Sequence, residues 1–194
     1  IIICLTVCPL YAQQNKLSLD RDSSVYSNWD TYFSYNLISS IDEGESVIYF
    51  ASYNSIFSFN TSTNQIEKFD TLNELSGDEI SAFYYSEINN IIAVGYSNGF
   101  LQIIDLNTSS IINIYDILNK PTIPSNKKTI NNFFQNGEQL LISTGYGISS
   151  YNLNGYEFGD TYYIGDFATQ INVSSTIVHE NFIYASNSDY GILR

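Results

Sequence analysis

Short runs in which apolar and polar residues alternate recur along the chain, each closed by a cluster of small or polar residues. One run is Ile56-Phe57-Ser58-Phe59-Asn60. A period of two places every other side chain on one face of an extended strand. The runs fall into units of one plan: a short apolar stretch, a polar turn, an alternating strand, a small-residue turn, a second strand, an Asn/Thr/Ser turn and a third.

The first unit reads Ile38-Ser39-Ser40-Ile41, Val47 to Ser52, the turn Tyr53-Asn54-Ser55, Ile56 to Asn60, and Gln65 to Phe69. The second runs through Ile80 to Tyr84, Ile91 to Tyr96, the turn Ser97-Asn98-Gly99, Leu101 to Asp105, and Ile111 to Ile114. The third has Ile130 to Phe133, Leu140 to Thr144, the turn Gly145-Tyr146-Gly147, Ile148 to Asn152, and Tyr156 to Phe158 leading into Thr161-Tyr162-Tyr163. A fourth begins near Ile171, reaches Phe182 to Ser186 and stops just after Gly191. With Ser55, Gly99, Gly147 and Gly191 taken as equivalent, the units recur every 44 to 48 residues.

Four short strands at this period make one blade of a β-propeller, a meander that buries both faces only by stacking on neighbours. The expected fold is therefore all-β: a propeller fragment of about four blades, three complete and the last truncated, each a four-stranded antiparallel meander. The blades are expected at about 38–79, 80–128, 129–170 and 171–194. Asn98-Gly99 is the clearest hairpin signal, because such a turn needs positive φ. The longest irregular connection, Asp116 to Lys128, is expected on one rim of the ring.

Composition agrees. Of 194 residues, 44% are hydrophobic and 15% aromatic, with 17 Tyr, 12 Phe and only 3 Pro, which suits pleated strands and a sizeable core. Twenty acidic against seven basic residues give a net charge of −13, which repels nucleic acid and anionic membrane surfaces.

The opening Ile1 to Leu10 is apolar and uncharged, and Tyr11-Ala12-Gln13-Gln14 turns small and polar. This reads as the core and cleavage region of a signal peptide over 1–13, too short to span a bilayer, whose basic start is missing. Cleavage near Ala12 would export 14–194 to the periplasm or the outer-membrane cell surface. Both cysteines, Cys4 and Cys8, lie inside this segment, so the mature chain is expected to hold no disulfide. Ile3 before Cys4 and Val7 before Cys8 fit a lipidation site poorly.

Motifs for chemistry are sparse. The single histidine, His179, sits in Val178-His179-Glu180-Asn181, which reads as a hairpin turn rather than part of a triad or zinc site. Gly145-Tyr146-Gly147 lacks the later glycine and the helix of a dinucleotide site. The carboxylates Asp20 and Asp22, and Asp42, Glu43 and Glu45, lack the alternating ligand pattern of a calcium loop. No catalytic, cofactor or metal site is expected. Two features suggest a binding surface instead. Lys120, Lys127 and Lys128 cluster on an acidic chain and could contact an anionic sugar or phosphate, or else simply keep a rim soluble. Tyr53, Tyr96 and Tyr146 fall at the small-residue turns and should line one rim, as a recognition surface or as packing.

Several strings are similar to a known family. Trp29 with Tyr32-Phe33-Ser34-Tyr35-Asn36, Gly95-Tyr96-Ser97-Asn98-Gly99, Gly145-Tyr146-Gly147-Ile148 and Asp160-Thr161-Tyr162-Tyr163-Ile164-Gly165 resemble the first propeller of the PorZ family, surface components of the type IX secretion system of Bacteroidetes. Asn73-Glu74-Leu75-Ser76-Gly77-Asp78-Glu79-Ile80 resembles the inter-blade turn of the wider two-component-regulator propeller superfamily. The resemblance covers roughly 25–194 and implies a longer protein with two seven-bladed propellers and a terminal β domain. It also implies a non-enzymatic role beside a PorU-like sortase in attaching cargo to anionic lipopolysaccharide. The alternative within the same fold is the periplasmic sensor propeller of a hybrid two-component regulator. About half of one ring would leave a raw blade edge, an aggregation hazard.

Overall fold

The structure is a computed structural model that describes residues 37–70, 75 and 79–194. The expected signal peptide at 1–13, Trp29 and most of the turn at 73–78 lie outside the described residues. Among the described residues four antiparallel sheets follow one another along the chain. The first holds β1 (Ile38–Glu43), β2 (Val47–Ser52), β3 (Ser55–Asn60) and β4 (Ile66–Asp70). The second holds β5 (Ile80–Ser86), β6 (Ile91–Tyr96), β7 (Leu101–Asp105) and β8 (Ser110–Ile114). The third holds β9 (Ile130–Asn136), β10 (Gln139–Thr144), β11 (Gly147–Asn152) and β12 (Glu157–Tyr162), and the fourth β13 (Ser175–His179), β14 (Phe182–Asn187) and β15 (Gly191–Leu193). Every sheet is a meander in sequence order, so the fold is an all-β propeller fragment of four blades, the last with three strands.

The outer hairpins show why these sequences turn where they do. The side-chain oxygen of Asn60 accepts from the backbone N–H of Ser62 and Thr63, that of Asp105 from Asn107 and Thr108, and that of Asn152 from Asn154 and Gly155. An Asx side chain can thus fold its own next two residues into a turn. Each turn then passes through one left-handed residue before the fourth strand: Asn64, Ser109 and Tyr156, with φ of 57°, 56° and 54°.

The first strands lie side by side from blade to blade, β1 by β5, β5 by β9 and β9 by β13, while the outer strands fan apart. Two of these first strands carry a register break after their first residue, between Ile38 and Ser40 and between Ile80 and Ala82, and β9 breaks at the equivalent place against β10. The bulged residues of the second and third blades reach forward. Ser81 Oγ donates to the Ile130 carbonyl at 2.7 Å, and Asn131 Nδ2 donates to the Val173 carbonyl at 2.7 Å and to Asn172 Oδ1 at 2.8 Å. In the first three blades the end of the second strand or the hairpin after it also accepts from the chain entering the next blade: Tyr53 O from Ile80 N, Ser97 O from Thr129 Oγ1, and Thr144 O from Val173 N.

The core is a set of seams. The first seam packs Tyr49, Ile56, Ile80, Ile92, Val94 and Ile104, and Tyr49 stacks on Tyr85 at 4.5 Å. The second packs Ala93, Leu101, Ile103, Ile130, Phe133 and Leu140, and the third Leu141, Ile148, Val173 and Ala185. Alternate residues of β6 therefore feed opposite seams, and all six of its residues are buried. Each such aliphatic side chain contributes about 1.5–3 kcal/mol by leaving water.

The outermost faces have no described neighbour. Ile41 of β1 is 65% exposed, whereas Phe83 and Phe133, at the same register in β5 and β9, pack against the preceding blade. Ile177 and Ile192 on the fourth blade are 52% and 79% exposed.

Two sequence expectations are adjusted. In register, Ser55, Gly147 and Gly191 are matched by Phe100, one residue beyond Gly99, because Gly99, at φ +88°, is the last residue of the three-residue hairpin Ser97-Asn98-Gly99, whereas Gly191 follows the equally long hairpin 188–190 and the first and third blades turn in two residues. The connection 116–128 is not wholly irregular. It forms one helical turn, α1 (Asp116–Asn119), and a 3-10 turn at Ser125–Lys127, and inserts Ile117 and Ile123 into the second seam.

Candidate functional site

The rim where the second and third blades meet is built by three pieces of chain: the hairpin 97–99, the hairpin 145–146 and the connector 116–128. The connector runs very close to the second hairpin. A Cβ on Gly145 would stand 2.6 Å from the Lys127 carbonyl oxygen, so only glycine allows this approach.

The three tyrosines expected on one rim separate. Tyr53 is 58% exposed in its hairpin. Tyr96 and Tyr146 are buried, at 1% and 0% exposure, and cannot form a surface with it. Tyr96 is the last residue of β6 and pairs with Ile80, so its counterparts are Ser52 and Thr144, not Tyr53. Its hydroxyl donates to Gln102 Oε1 at 3.0 Å and its ring lies 5.2 Å from that of Phe100. Both tyrosines were drawn inward because the ring is large and apolar while a single polar partner satisfies the hydroxyl.

The lysines divide as well. Lys127 Nζ donates to the Gln170 carbonyl at 3.0 Å and Lys128 Nζ to the Leu118 carbonyl at 2.5 Å, so these two tie the connector to its surroundings. Lys120 Nζ donates to Thr161 Oγ1 at 3.0 Å and stands 5.9 Å from the centre of the Tyr146 ring. The oxygens that these ammoniums meet are neutral, and among the described residues no carboxylate pairs with them.

Lys120 and Tyr146 are thus the two expected residues that the fold brings together. They line a pocket of about 220 Å³ with Asp116, Ser149, Gly159 and Thr161. Tyr146 Oη and Ser149 Oγ are 2.7 Å apart, and Ser149 Oγ and Thr161 Oγ1 3.4 Å. Burial raises the Tyr146 phenol above its ordinary value, opposed by the bond to Ser149, so it stays a neutral hydroxyl. One ammonium over a chain of three hydroxyls can hold the oxygens of an anion, with Asp116 restricting how much negative charge fits. Ser149 and Thr161 were not singled out from sequence. The only signal was their place in strands already marked, Thr161 inside the Thr-Tyr-Tyr string.

His179 ends β13 opposite Phe182, and Glu180 and Asn181 turn the hairpin with φ of 47° and 67°. Its Nε2 is 3.8 Å from Glu180 Oε1 on an exposed surface, a contact worth little. Among the described residues no group of three or more His, Cys, Asp or Glu side chains gathers to hold a metal ion, and no helix is long and apolar enough to cross a membrane.

Comparison with known proteins bears on the whole propeller. The structure superposes on PorZ of Porphyromonas gingivalis, described as an essential bacterial surface component of the type IX secretion system, with a TM-score of 0.63 and 17% identity over 76% of this chain and 20% of that one. It is similar to the extracellular domain of a protein assigned to a hybrid two-component system of B. thetaiotaomicron, with a TM-score of 0.60 and 14% identity over 80% of this chain and 20% of that one. A computationally designed protein, Ika8, shares the fold with a TM-score of 0.59 at 10% identity over 80% of this chain and 44% of the designed one. The chain spans a fifth of the length of the two natural proteins. None of the curated protein sequences compared matches it. The family model for the N-terminal β-propeller domain of PorZ, of the type IX secretion system, matches residues 48–194, and the chain belongs to that family.

Proposed function

We propose that the chain is part of a non-enzymatic propeller scaffold of the type IX secretion system, exported to the periplasm or the cell surface. There it acts with a PorU-like sortase in attaching secreted cargo to anionic lipopolysaccharide. The observation that carries this reading is the family match over 48–194, on a fold whose strands are consumed by packing and whose rim loops remain for recognition. The Lys120 pocket supplies a fitting chemistry, a cation among hydroxyls for an anionic glycan group, while Lys127 and Lys128 hold the connector that presents it. Tyr53 adds an exposed aromatic on the first blade.

Deleting the full gene tests the role: cargo should remain unanchored or accumulate in the periplasm, and normal anchoring refutes it. In the full-length protein, Lys120→Ala should weaken binding of anionic lipopolysaccharide while leaving the thermal midpoint nearly unchanged.

The likeness to extracellular domains of hybrid two-component systems supports a second reading, a ligand-sensing propeller. The gene then continues into a transmembrane helix and a kinase; a second propeller and a terminal β domain downstream support the scaffold.

A further inference from the structure

Because the blades fan apart, the second seam opens outward into a groove of about 460 Å³ between β8 and β12, next to the Lys120 pocket. Its lining includes Asn113, Asp116, Tyr151, Tyr156, Glu157 and Phe158. Tyr151 stands out. Its side chain is 1% exposed and its ring packs edge-on against Phe158 at 5.3 Å, yet its hydroxyl has no hydrogen-bond partner among the described residues. Buried hydroxyls are nearly always paired, because leaving one unpaired forfeits its bond to water with no return. A residue that needed only bulk here would serve equally as phenylalanine.

Acceptors outnumber obligate donors along this groove, where the phenols can act as either. Asp116 and Glu157 are exposed carboxylates at the mouth, and Tyr156, held at φ 54° at the tip of the outer hairpin, is 45% exposed. Asn113 already accepts from Gln102 Nε2 at 3.0 Å through its Oδ1. No basic side chain lines the groove. Lys120 reaches only the adjoining pocket, where its ammonium is turned to Thr161.

We propose that this groove receives the ammonium of a lysine side chain from a partner protein. An ammonium has three donors and no acceptor, which two carboxylates and one unpaired phenol oxygen complement. A tyrosine face at the mouth adds attraction for a cation. A saccharide, by contrast, brings no charge to offset the two carboxylates, and the groove offers it only the Asn113 amide and the phenols as donors. The net charge of −13 draws basic segments toward the surface before they dock. The proposal is independent of the glycan reading of the Lys120 pocket, which asks for the opposite charge.

Calorimetric titration of the full-length protein tests it with three probes: the doubly capped tripeptide Gly-Lys-Gly, the same peptide acetylated on the lysine nitrogen, and glucose. The lysine peptide should saturate in the millimolar range and bind at least tenfold more tightly than its acetylated form, with glucose giving no saturable heat. Tyr151→Phe should weaken the lysine peptide roughly tenfold without lowering the thermal midpoint, since only a ligand-facing bond is lost. Asp116→Asn should weaken it severalfold and reduce its salt dependence. The proposal is overturned by no saturable binding of the lysine peptide, by equal binding of the acetylated peptide, by preference for glucose, or by wild-type affinity in both variants.

Discussion

Gly95 offers the sharpest test of how the blades hold together. It lies buried in β6 opposite Ala82, and a Cβ built on it would stand 2.5 Å from Ile130 Cγ2, 2.8 Å from Ile130 Cβ and 3.0 Å from Phe133 Cζ. All three atoms belong to β9, so an alanine there pushes the first strand of the next blade outward. Ile130 is 0% exposed and rooted in the strand, with no flexible end that could swing away. Overpacking of this kind costs about 1–3 kcal/mol. Gly95→Ala should therefore lower the denaturant midpoint of the full-length propeller, followed by far-ultraviolet circular dichroism. Ile130→Ala removes Cγ2 and opens a cavity, a loss of about 2–5 kcal/mol by itself. In that background the closest contact is gone while those to the Cβ at 130 and to Phe133 stay, so the added Gly95 methyl should cost less than in the parent, a coupling of about 1 kcal/mol or more in the double-mutant cycle. If Gly95→Ala is neutral, or if the two substitutions simply add, the seam is not held by the contact described and the reasoning fails.

Three further outcomes follow from the same structure. Asn131→Ala loses the bonds to Asn172 Oδ1 and the Val173 carbonyl and should cost about 1–2 kcal/mol, with faster amide exchange confined largely to β13 and its approach. Gly145→Ala collides with the Lys127 backbone and should destabilise by about 1–3 kcal/mol while displacing the connector, so that Lys120 loses Thr161 and, on the function proposed above, lipopolysaccharide binding falls with stability. Burial, together with neighbouring Tyr85, pushes the Tyr49 phenol from 10.0 up to about 12. The folded state then holds this proton more tightly than the unfolded one, so its contribution is intact below pH 10 and is lost as pH rises through about 12. Ultraviolet titration should show a late-ionising tyrosine missing in Tyr49→Phe, and that variant should lose less stability over the same interval.

The repeat was legible because its markers are local. Asx turns, alternating strands and small-residue hairpins are written in consecutive residues, and they placed the second and third strands of the first three blades to within a residue, whereas the first strands run two or three residues past their apolar openings. Depth within a seam was harder to read. In β6 both faces are buried, so period-two alternation carries no inside-outside information, and Tyr96 was indistinguishable from a loop tyrosine. The 44-residue spacing from Ser55 to Gly99 already sets Tyr96 against Ser52, so grouping Tyr96 with Tyr53 read the last residue of a strand as part of its hairpin. The lysine cluster was visible as charge, but its division into two structural ties and one pocket residue depends on partners some ten to forty positions away, Leu118, Gln170 and Thr161. Alternation placed Tyr151 in the core, yet no pattern in the chain could announce that its hydroxyl goes unanswered.

The forward-reaching side chains of the bulges make the second and third blades units with a hook in front, caught by an eye on the blade that follows. Ser81 grips a main-chain carbonyl of the third blade, and Asn131 one of the fourth, so neither grip depends on which side chain the neighbour carries there. A gene that duplicates or drops one such unit inherits a working joint at both cuts. Rings of different blade number are thereby open to this architecture through copying alone, while the rim loops stay free to diverge.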